Sequence, residues 1–190
     1  MTLIGLDLSI TSTGVCIYDT DTKDTIYYII GNKFTKKALA YNCEYLHMIL
    51  YKKDNPINDE NHVKELCKTN NIYNIICKIS DIIDKHRPSI ATIEGVSFNS
   101  RGSVLDLCGL NYMVRMLLIQ KGIKHINIVA PTQNKKFATA NGQAEKDVMI
   151  SAWHKSDKKT TEIPSYIKTD DIADAYFLAR YGKELIINEK

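Results

Sequence analysis

Four acidic residues could hold divalent cations, because each interrupts or borders a segment of apolar or small residues. Asp7 interrupts the apolar run at residues 3–8, and Glu94 interrupts another at residues 90–96. Asp171 and Asp174 are three residues apart, which places both carboxylates on one face of a helix. If the four acids converge, two Mg²⁺ ions about 4 Å apart would relieve their repulsion and activate water for attack on a phosphodiester.

Each acid also has a simpler explanation. Asp7 could be satisfied by the hydroxyls and amides of residues 9–13, and Glu94 could point from a strand into solvent. Asp170 and Asp171 stand at a predicted helix start, where acids are favoured by capping and by the helix dipole. Asp174 could be a solvated helix residue. The four acids together, in this order along the chain, indicate a metal site more specifically than any one of them does alone.

Lysines in the C-terminal half provide basic charge. Residues 121–168 hold nine lysines against four acids, although the net charge of the whole chain is only +3. Lys135 and Lys136 lie in a polar segment, and Lys146 lies at the start of an amphipathic pattern. All three could be solvated surface residues. If they are functional, they neutralise phosphates, and binding should weaken steeply with salt.

Composition limits the class of protein. A chain of 190 residues with 44% hydrophobic and 25% charged residues is an ordinary globular domain. We find neither a secretory signal nor an apolar run near the roughly 18 residues that span a bilayer, so no membrane partner is expected. Five widely spaced cysteines without a C-x-x-C pair indicate buried thiols in a reducing compartment. We therefore expect a cytoplasmic location.

Hydrophobic periodicity predicts a mixed α/β domain. Predicted strands cover residues 3–8, 14–18, 25–30, 89–96 and 125–129, and predicted helices cover 62–86, 103–120, 141–154 and 169–181. Residues 131–142 are predicted to form a polar loop. The polar segment 31–61 is expected to be an insertion with a short helix around 36–51. Three strands followed by alternating helices and strands resemble the ribonuclease H-like arrangement, a five-stranded mixed sheet flanked by helices, as one domain over residues 1–190.

The predicted helix 103–120 is apolar around almost its whole circumference. Such a helix is buried on both sides. In a domain of this size the second side packs either against another subunit or inside an enclosed core, and Gly109 would permit close approach.

Four stretches together resemble the RuvC family of Holliday-junction resolvases, in a phage or viral branch. They are Ile4-Gly5-Leu6-Asp7-Leu8-Ser9 with Thr13-Gly14, Ile93-Glu94-Gly95-Val96 with Phe98, Asn141-Gly142-Gln143-Ala144-Glu145-Lys146, and Asp171-Ile172-Ala173-Asp174-Ala175. The resemblance implies a homodimer that binds a four-way DNA junction and makes paired nicks with 5′-phosphate ends. It also implies two Mg²⁺ per site, with Mn²⁺ able to substitute.

The resemblance carries over to individual residues. Asp7, Glu94, Asp171 and Asp174 match the metal-binding acids. Lys146 matches a basic residue at the scissile phosphate, and either Lys135 or Lys136 matches a second one.

The loop after Glu94 and one helix add further expectations. Phe98 stands near the family's base-stacking aromatic, but one extra residue separates it from the acid, so a core position is nearly as plausible. We also expect Arg101, in the same loop, to contact DNA. Helix 103–120 takes the place of the family's dimer helix.

Competing functions share parts of this pattern. A relaxed branched-DNA endonuclease or a ribonuclease H would use the same acids and metals. Actin-like ATPases share the opening strand with Gly-x-Asp, but they need a second domain and a second glycine-rich loop, which this chain lacks. A non-catalytic junction-binding protein would not need four intact acids. We therefore expect a metal-dependent, structure-selective DNA endonuclease.

Overall fold

A mixed β-sheet forms the centre of the molecule. The structure is a computed structural model that describes residues 1–41, 43–96 and 104–188. Within these ranges six strands pair in the order β4-β3-β2-β1-β5-β6. The strands are β1 Thr2–Asp7, β2 Ser12–Asp19, β3 Thr25–Gly31, β4 Leu46–Leu50, β5 Ile90–Glu94 and β6 His125–Val129.

The sheet has one strand more than the five expected, and the polar segment 31–61 supplies it. β4 pairs in parallel with β3, from Tyr27 opposite Leu46 to Gly31 opposite Leu50. As an edge strand it is buried at Leu46 and half exposed at Leu50, and its short apolar stretch stands within a segment rich in Lys and Asn. The helix expected over residues 36–51 is only one turn long, α1 at Lys36–Leu39, where the Thr35 hydroxyl caps the Ala38 amide.

The remaining helices lie on the two faces of the sheet. They are α2 Asn61–His86, α3 Val104–Gln120, α4 Pro131–Thr139, α5 Lys146–Ser156 and α6 Asp170–Asn188, with a 3₁₀ turn at Lys158–Glu162. In the part of the chain described here, no helix is long and apolar enough to cross a membrane.

Three boundaries differ from the sequence prediction. Residues 131–139 form α4 rather than a loop, because Pro131 occupies the first helical position, where its missing amide costs nothing. α5 begins at Lys146 rather than at Asn141, whose side chain accepts the Gln143 amide in a local turn. α6 continues past Gly182, because Ile186 still packs on the core.

Two apolar cores lie on opposite faces of the sheet. The first contains side chains of α2 and α3 packed on the sheet, among them Ile75, Ile79, Leu110 and Val114. The second contains side chains of α5 and α6, with Trp153 completely buried. Burial on both faces explains the near-continuous apolar sequences of β1 and β5.

Candidate active site

Asp7 and Glu94 end neighbouring parallel strands. β1 pairs with β5 from Leu3 opposite Ile90 to Leu6 opposite Ile93, so the next residue on each strand carries an acid at the same edge of the sheet. Both side chains are only partly exposed. The strand pairing therefore brings the Asp7 and Glu94 positions together.

Helix α6 brings the other two acids to this edge through very close packing. A Cβ atom at Gly5 would lie 2.0 Å from the Ala175 carbonyl oxygen, and one at Gly14 would lie 2.1 Å from the Asp171 carbonyl oxygen. Glycine is therefore required at both positions, since a real Cβ would push the helix away. The contact at Gly14 is made by the backbone of Asp171 itself, which fixes that acid against β2.

The carboxylates repel one another across the site. Burial, followed by the negative charges of Glu94, Asp174 and Asp171, raises the pKa of Asp7 well above its ordinary value. Burial and then Asp174 raise the pKa of Glu94 to about 7, against the opposing charge of Lys135. These effects show that the acids from β1, β5 and α6 share one electrostatic environment.

Asp171 and Asp174 differ in how they are held. Burial raises the pKa of Asp174 to about 6, although the charge of Lys135 opposes the shift. Burial also raises the pKa of Asp171, and the hydrogen bond that the Ser12 hydroxyl donates to its Oδ2 lowers it in part. Asp171 is therefore anchored by a side chain, whereas Oδ1 of Asp174 is buried without a hydrogen-bond partner among the described residues.

The donor set fits a hard divalent cation. Carboxylate oxygens are the ligands that Mg²⁺ and Mn²⁺ prefer, and the unpartnered Asp174 Oδ1 together with the raised pKa values indicates acids whose negative charge the nearby lysines do not fully balance. Within the described ranges, however, no three acidic, histidine or cysteine side chains form a ready-made metal cage. Carboxylates that repel one another stand apart until a cation draws them together, so this separation agrees with the chemistry of the donor set.

Lys135 and Lys136 occupy different positions relative to the acids. Lys135 lies on α4, is partly buried, and its charge acts on both Glu94 and Asp174. Lys136 follows about 100° around the helix and is exposed. Of the two, Lys135 is the one that α4 brings to the acids.

Lys146 reaches the site through Asp170. Its ammonium, at the first residue of α5, donates to Asp170 Oδ2, and this hydrogen bond holds the pKa of Lys146 above its ordinary value. Lys168 approaches the same oxygen at 3.4 Å. Burial alone would raise the pKa of Asp170, but the two lysines outweigh it and lower that pKa. Asp170 is therefore a buried, paired carboxylate and more than the helix-capping residue suggested by its position.

Two asparagines that the sequence reasoning missed hold the backbone of the acid-bearing residues. The buried Asn111 side chain on α3 donates to the Glu94 carbonyl at 2.9 Å, and the buried Asn134 side chain on α4 donates to the Asp174 carbonyl at 3.2 Å. Asn111 could have been noticed as a polar residue in an apolar helix. Asn134 stands in a polar segment and gives no such signal.

Two predicted DNA-binding residues, Phe98 and Arg101, lie outside the described residues. The other predicted site residues are described, and all except Lys136 belong to the edge of the sheet formed by the ends of β1 and β5 and the start of α6.

Comparison with known proteins identifies the family of the chain and proteins of similar fold. A family model described as crossover junction endodeoxyribonuclease RuvC matches residues 59–180. No curated protein matches the chain in a sequence comparison.

Solved structures give a consistent result. Thermus thermophilus RuvC has a TM-score of 0.61 at 15% identity, with 94% of this chain and 91% of that chain covered. T. thermophilus RuvC in complex with Holliday junction substrate scores 0.60 at 14% identity, covering 94% and 90%. The Fowlpox virus Holliday junction resolvase, 15% identical over 98% of this chain and 99% of that chain, scores 0.48, which is too low to carry an argument. The two T. thermophilus structures confirm the ribonuclease H-like fold class.

Proposed function

Because the chain belongs to the RuvC family of crossover junction endodeoxyribonucleases, we propose that it resolves four-way DNA junctions by paired nicks. The observation that carries this conclusion is the match of residues 59–180 to the family model. That segment contains Glu94, Asp171, Asp174 and Lys146, and β1 adds Asp7 beside Glu94. The protein is thus a phosphodiester hydrolase with branched DNA as its substrate.

The family depends on divalent metal ions, and the four acids are the residues that would hold them. We assign Asp7, Glu94, Asp171 and Asp174 as ligands of two Mg²⁺, with Mn²⁺ as a substitute. When bound, the ions supply an activated water and neutralise charge that develops at the phosphate. The Ser12 hydroxyl holds the Asp171 carboxylate, and the Asn111 and Asn134 amides and the glycine contacts of α6 hold the backbone of the acid-bearing residues. Only side-chain torsions would then need to adjust when the cations bind.

The lysines would act on the substrate. Lys135 and Lys146 place positive charge beside the acids, where they would hold the scissile phosphate and stabilise its added negative charge. Cleavage would leave 5′-phosphate ends. Phe98 and Arg101, which follow Glu94 in the sequence, are further proposed DNA contacts.

We propose a homodimer that forms through α3. Its inner side contributes Leu110, Val114, Leu117 and Leu118 to the core, but within the single chain its outer side stays open. That outer side presents five large apolar residues that are more than half exposed, Leu105, Tyr112, Met113, Met116 and Ile119. An apolar stripe of this kind marks a protein interface, and a two-fold dimer would carry two sites for two nicks. We place this activity in the cytoplasm, or in the host cytoplasm for a virus-encoded enzyme.

A cleavage panel tests the proposal. End-labelled four-way junctions, flaps, plain duplex and an RNA–DNA hybrid are incubated with the wild type and Asp7→Asn, in Mg²⁺ or in EDTA. We expect symmetric paired nicks on the four-way junction, in Mg²⁺ only and with the wild type only. Cuts spread over flaps and forks would indicate a general branched-DNA endonuclease, and hybrid-only cutting would indicate a ribonuclease H. Tight junction binding without cutting in any metal would contradict an enzymatic role.

A further inference from the structure

Two segments next to the acids carry lysines without any acidic residue. Residues 31–41 contain Lys33, Lys36 and Lys37, and residues 163–169 contain Lys168, whereas neither segment contains Asp or Glu. The first follows β3 and the second precedes α6. The function described above uses neither segment.

These segments meet at a cavity of about 200 Å³ that Ser12, Lys33, Thr35, Tyr166 and Lys168 help to line. The Lys37 ammonium lies 4.2 Å from the centroid of the Tyr166 ring. We call Lys33, Lys37, Tyr166 and Lys168 the basic patch. All four side chains are exposed, and in the described ranges neither Lys33 nor Lys37 forms an ion pair with an acid.

The basic patch continues directly into the acidic site. Ser12, in the wall of the cavity, donates to Asp171, and Lys168 lies 3.4 Å from Asp170 Oδ2. Lys168 also lines a second cavity of about 410 Å³ together with Lys146. A chain of cations therefore runs from Lys146 through Lys168 to Lys33.

The patch and Lys135 flank the acids on opposite sides. In the strand order, β2 and β3 lie on one side of β1, and β5 and β6 lie on the other. Lys135 acts on Glu94 at the end of β5, whereas Lys33 follows β3. A DNA strand that crosses the acids would therefore meet positive charge both before and after the scissile phosphate.

We propose that the basic patch binds the phosphates of the cleaved DNA strand where that strand leaves the metal site on the β2–β3 side. This inference rests on the proposed function. Lys33 and Lys37, which form no ion pair with an acid among the described residues, favour a polyanion beside a phosphodiester-cleaving site, and such contacts position a strand without reading its sequence. The segment 31–41 thus extends the substrate surface beyond the part of the chain that matches the family model.

The test uses the double variant Lys33→Gln/Lys37→Gln. Junction binding is measured from 50 to 300 mM salt in an Asp7→Asn background, and cleavage is measured with Asp7 intact. The matched control is Lys23→Gln/Lys124→Gln, since both of these lysines are exposed at the opposite ends of the strands. We expect binding to weaken roughly 10- to 100-fold at 0.1 M salt and the slope of log Kobs against log salt to decrease by about 2. Cleavage should require a correspondingly higher junction concentration for half-maximal rate.

The experiment distinguishes a failure of the basic-patch proposal from a failure of the proposed function. A double variant whose affinity and salt slope equal those of the control pair would overturn the basic patch as a DNA site. If the protein without lysine substitutions neither binds nor cuts branched DNA, the proposed function itself fails. A loss of sequence preference without a change in salt slope would also contradict the patch, because phosphate contacts carry no base information.

Discussion

At the scale of single residues, the carboxylates of the site repel one another, and a bound cation would relieve that repulsion. Asp174 has a raised pKa and a buried oxygen without a partner among the described residues, so its charge destabilises the metal-free fold. A neutral side chain of the same shape removes that cost and also removes a proposed ligand. Stability and activity should therefore respond in opposite directions.

We predict that Asp174→Asn abolishes junction cleavage in Mg²⁺ and raises the Tm of the metal-free protein by roughly 2–8 °C. The measurements are single-turnover cleavage and thermal unfolding in EDTA. Asp147→Asn on α5 is the control, since this exposed acid should change neither quantity. Cleavage by Asp174→Asn at the wild-type rate would contradict the assignment.

The stability of the metal-free protein should fall with rising pH. The pKa of Glu94 is about 7 in the fold, above its ordinary value of 4.5, so the folded state binds more protons than the unfolded state between these values. The stabilisation by protonated Glu94 is complete below about pH 4.5 and is lost as pH rises through 7. Asp174, with a pKa of about 6, acts in the same direction.

Denaturant unfolding in EDTA from pH 4.5 to 8 checks this expectation. We expect a declining free energy of unfolding in the wild type and a flatter profile in Glu94→Gln. Mg²⁺ should stabilise the wild type more at pH 8 than at pH 5. A Mg²⁺ effect that does not change with pH would contradict the link between these acids and the metal.

Asp170 should act by positioning Lys146, and a double-mutant cycle can show it. We expect Asp170→Asn and Lys146→Ala each to reduce cleavage about tenfold or more, and the double variant to be little worse than either single one. Lys168→Gln, which removes the more distant cation at 3.4 Å, should have a smaller effect. Additive losses in the double variant would mean that the two residues act separately.

The residues that could be predicted from sequence are those that break a local pattern. Asp7 and Glu94 stand out because a charge is unexpected in an apolar strand, and Asp171 and Asp174 stand out by their helical spacing. Asp170, Ser12 and Asn134 could not be found in this way, because their partners Lys146, Asp171 and Asp174 lie far along the chain. Their roles follow from tertiary contacts alone.

At the scale of elements, the close approach of α6 to β1 and β2 sets the geometry of the acids. A Cβ added at Gly14 would lie 2.1 Å from the Asp171 carbonyl oxygen and 2.9 Å from the Ile172 amide nitrogen, which are both backbone atoms of α6. The helix would have to shift, and two of the four acids would shift with it. Activity should therefore be more sensitive than stability to substitutions at this contact.

We predict that Gly14→Ala lowers cleavage at least 100-fold and destabilises the protein by about 1–3 kcal/mol. Cleavage kinetics and denaturant unfolding are the measurements. Gly109→Ala is the control for stability, since its Cβ would lie at an ordinary 3.5 Å from Ile72. Wild-type cleavage in Gly14→Ala would mean that the helix position does not control the acids.

The sequence predicts an element well when its apolar pattern is strong. It predicts an element poorly when the formation of that element depends on tertiary packing. The strong apolar patterns of β1, β5 and α2 predict these elements to within a few residues. β4 escapes prediction because its short apolar stretch stands in a polar segment and pairs with β3 only in the folded chain. The sequence predicts a loop in place of α4, because its residues are mostly polar and its stability comes from packing against α5 and α6.

At the scale of the whole molecule, the outer stripe of α3 should bring two copies together. We predict that Ile119→Asp, at a residue that is 65% exposed, converts the protein to a monomer without unfolding it. Junction nicks should then become uncoupled on the two strands. Sedimentation and a cruciform-plasmid assay, which separates single from paired nicks, are the measurements.

Ile57→Asp provides the matched control, because Ile57 is an apolar residue that is 94% exposed and lies in the loop between β4 and α2, outside the sequence of α3. This variant should remain dimeric and make paired nicks. A wild type that sediments as a monomer at micromolar concentration in the presence of junction DNA would contradict the dimer.

The split of the acids between the first strand and α6 has a consequence for biosynthesis. β1 and β5, with Asp7 and Glu94, are synthesised before α6, which carries Asp171 and Asp174 and docks on Gly5 and Gly14. The proposed metal site would therefore be incomplete in a nascent chain that lacks α6. We expect such a chain not to cut nucleic acid until α6 has closed the second core.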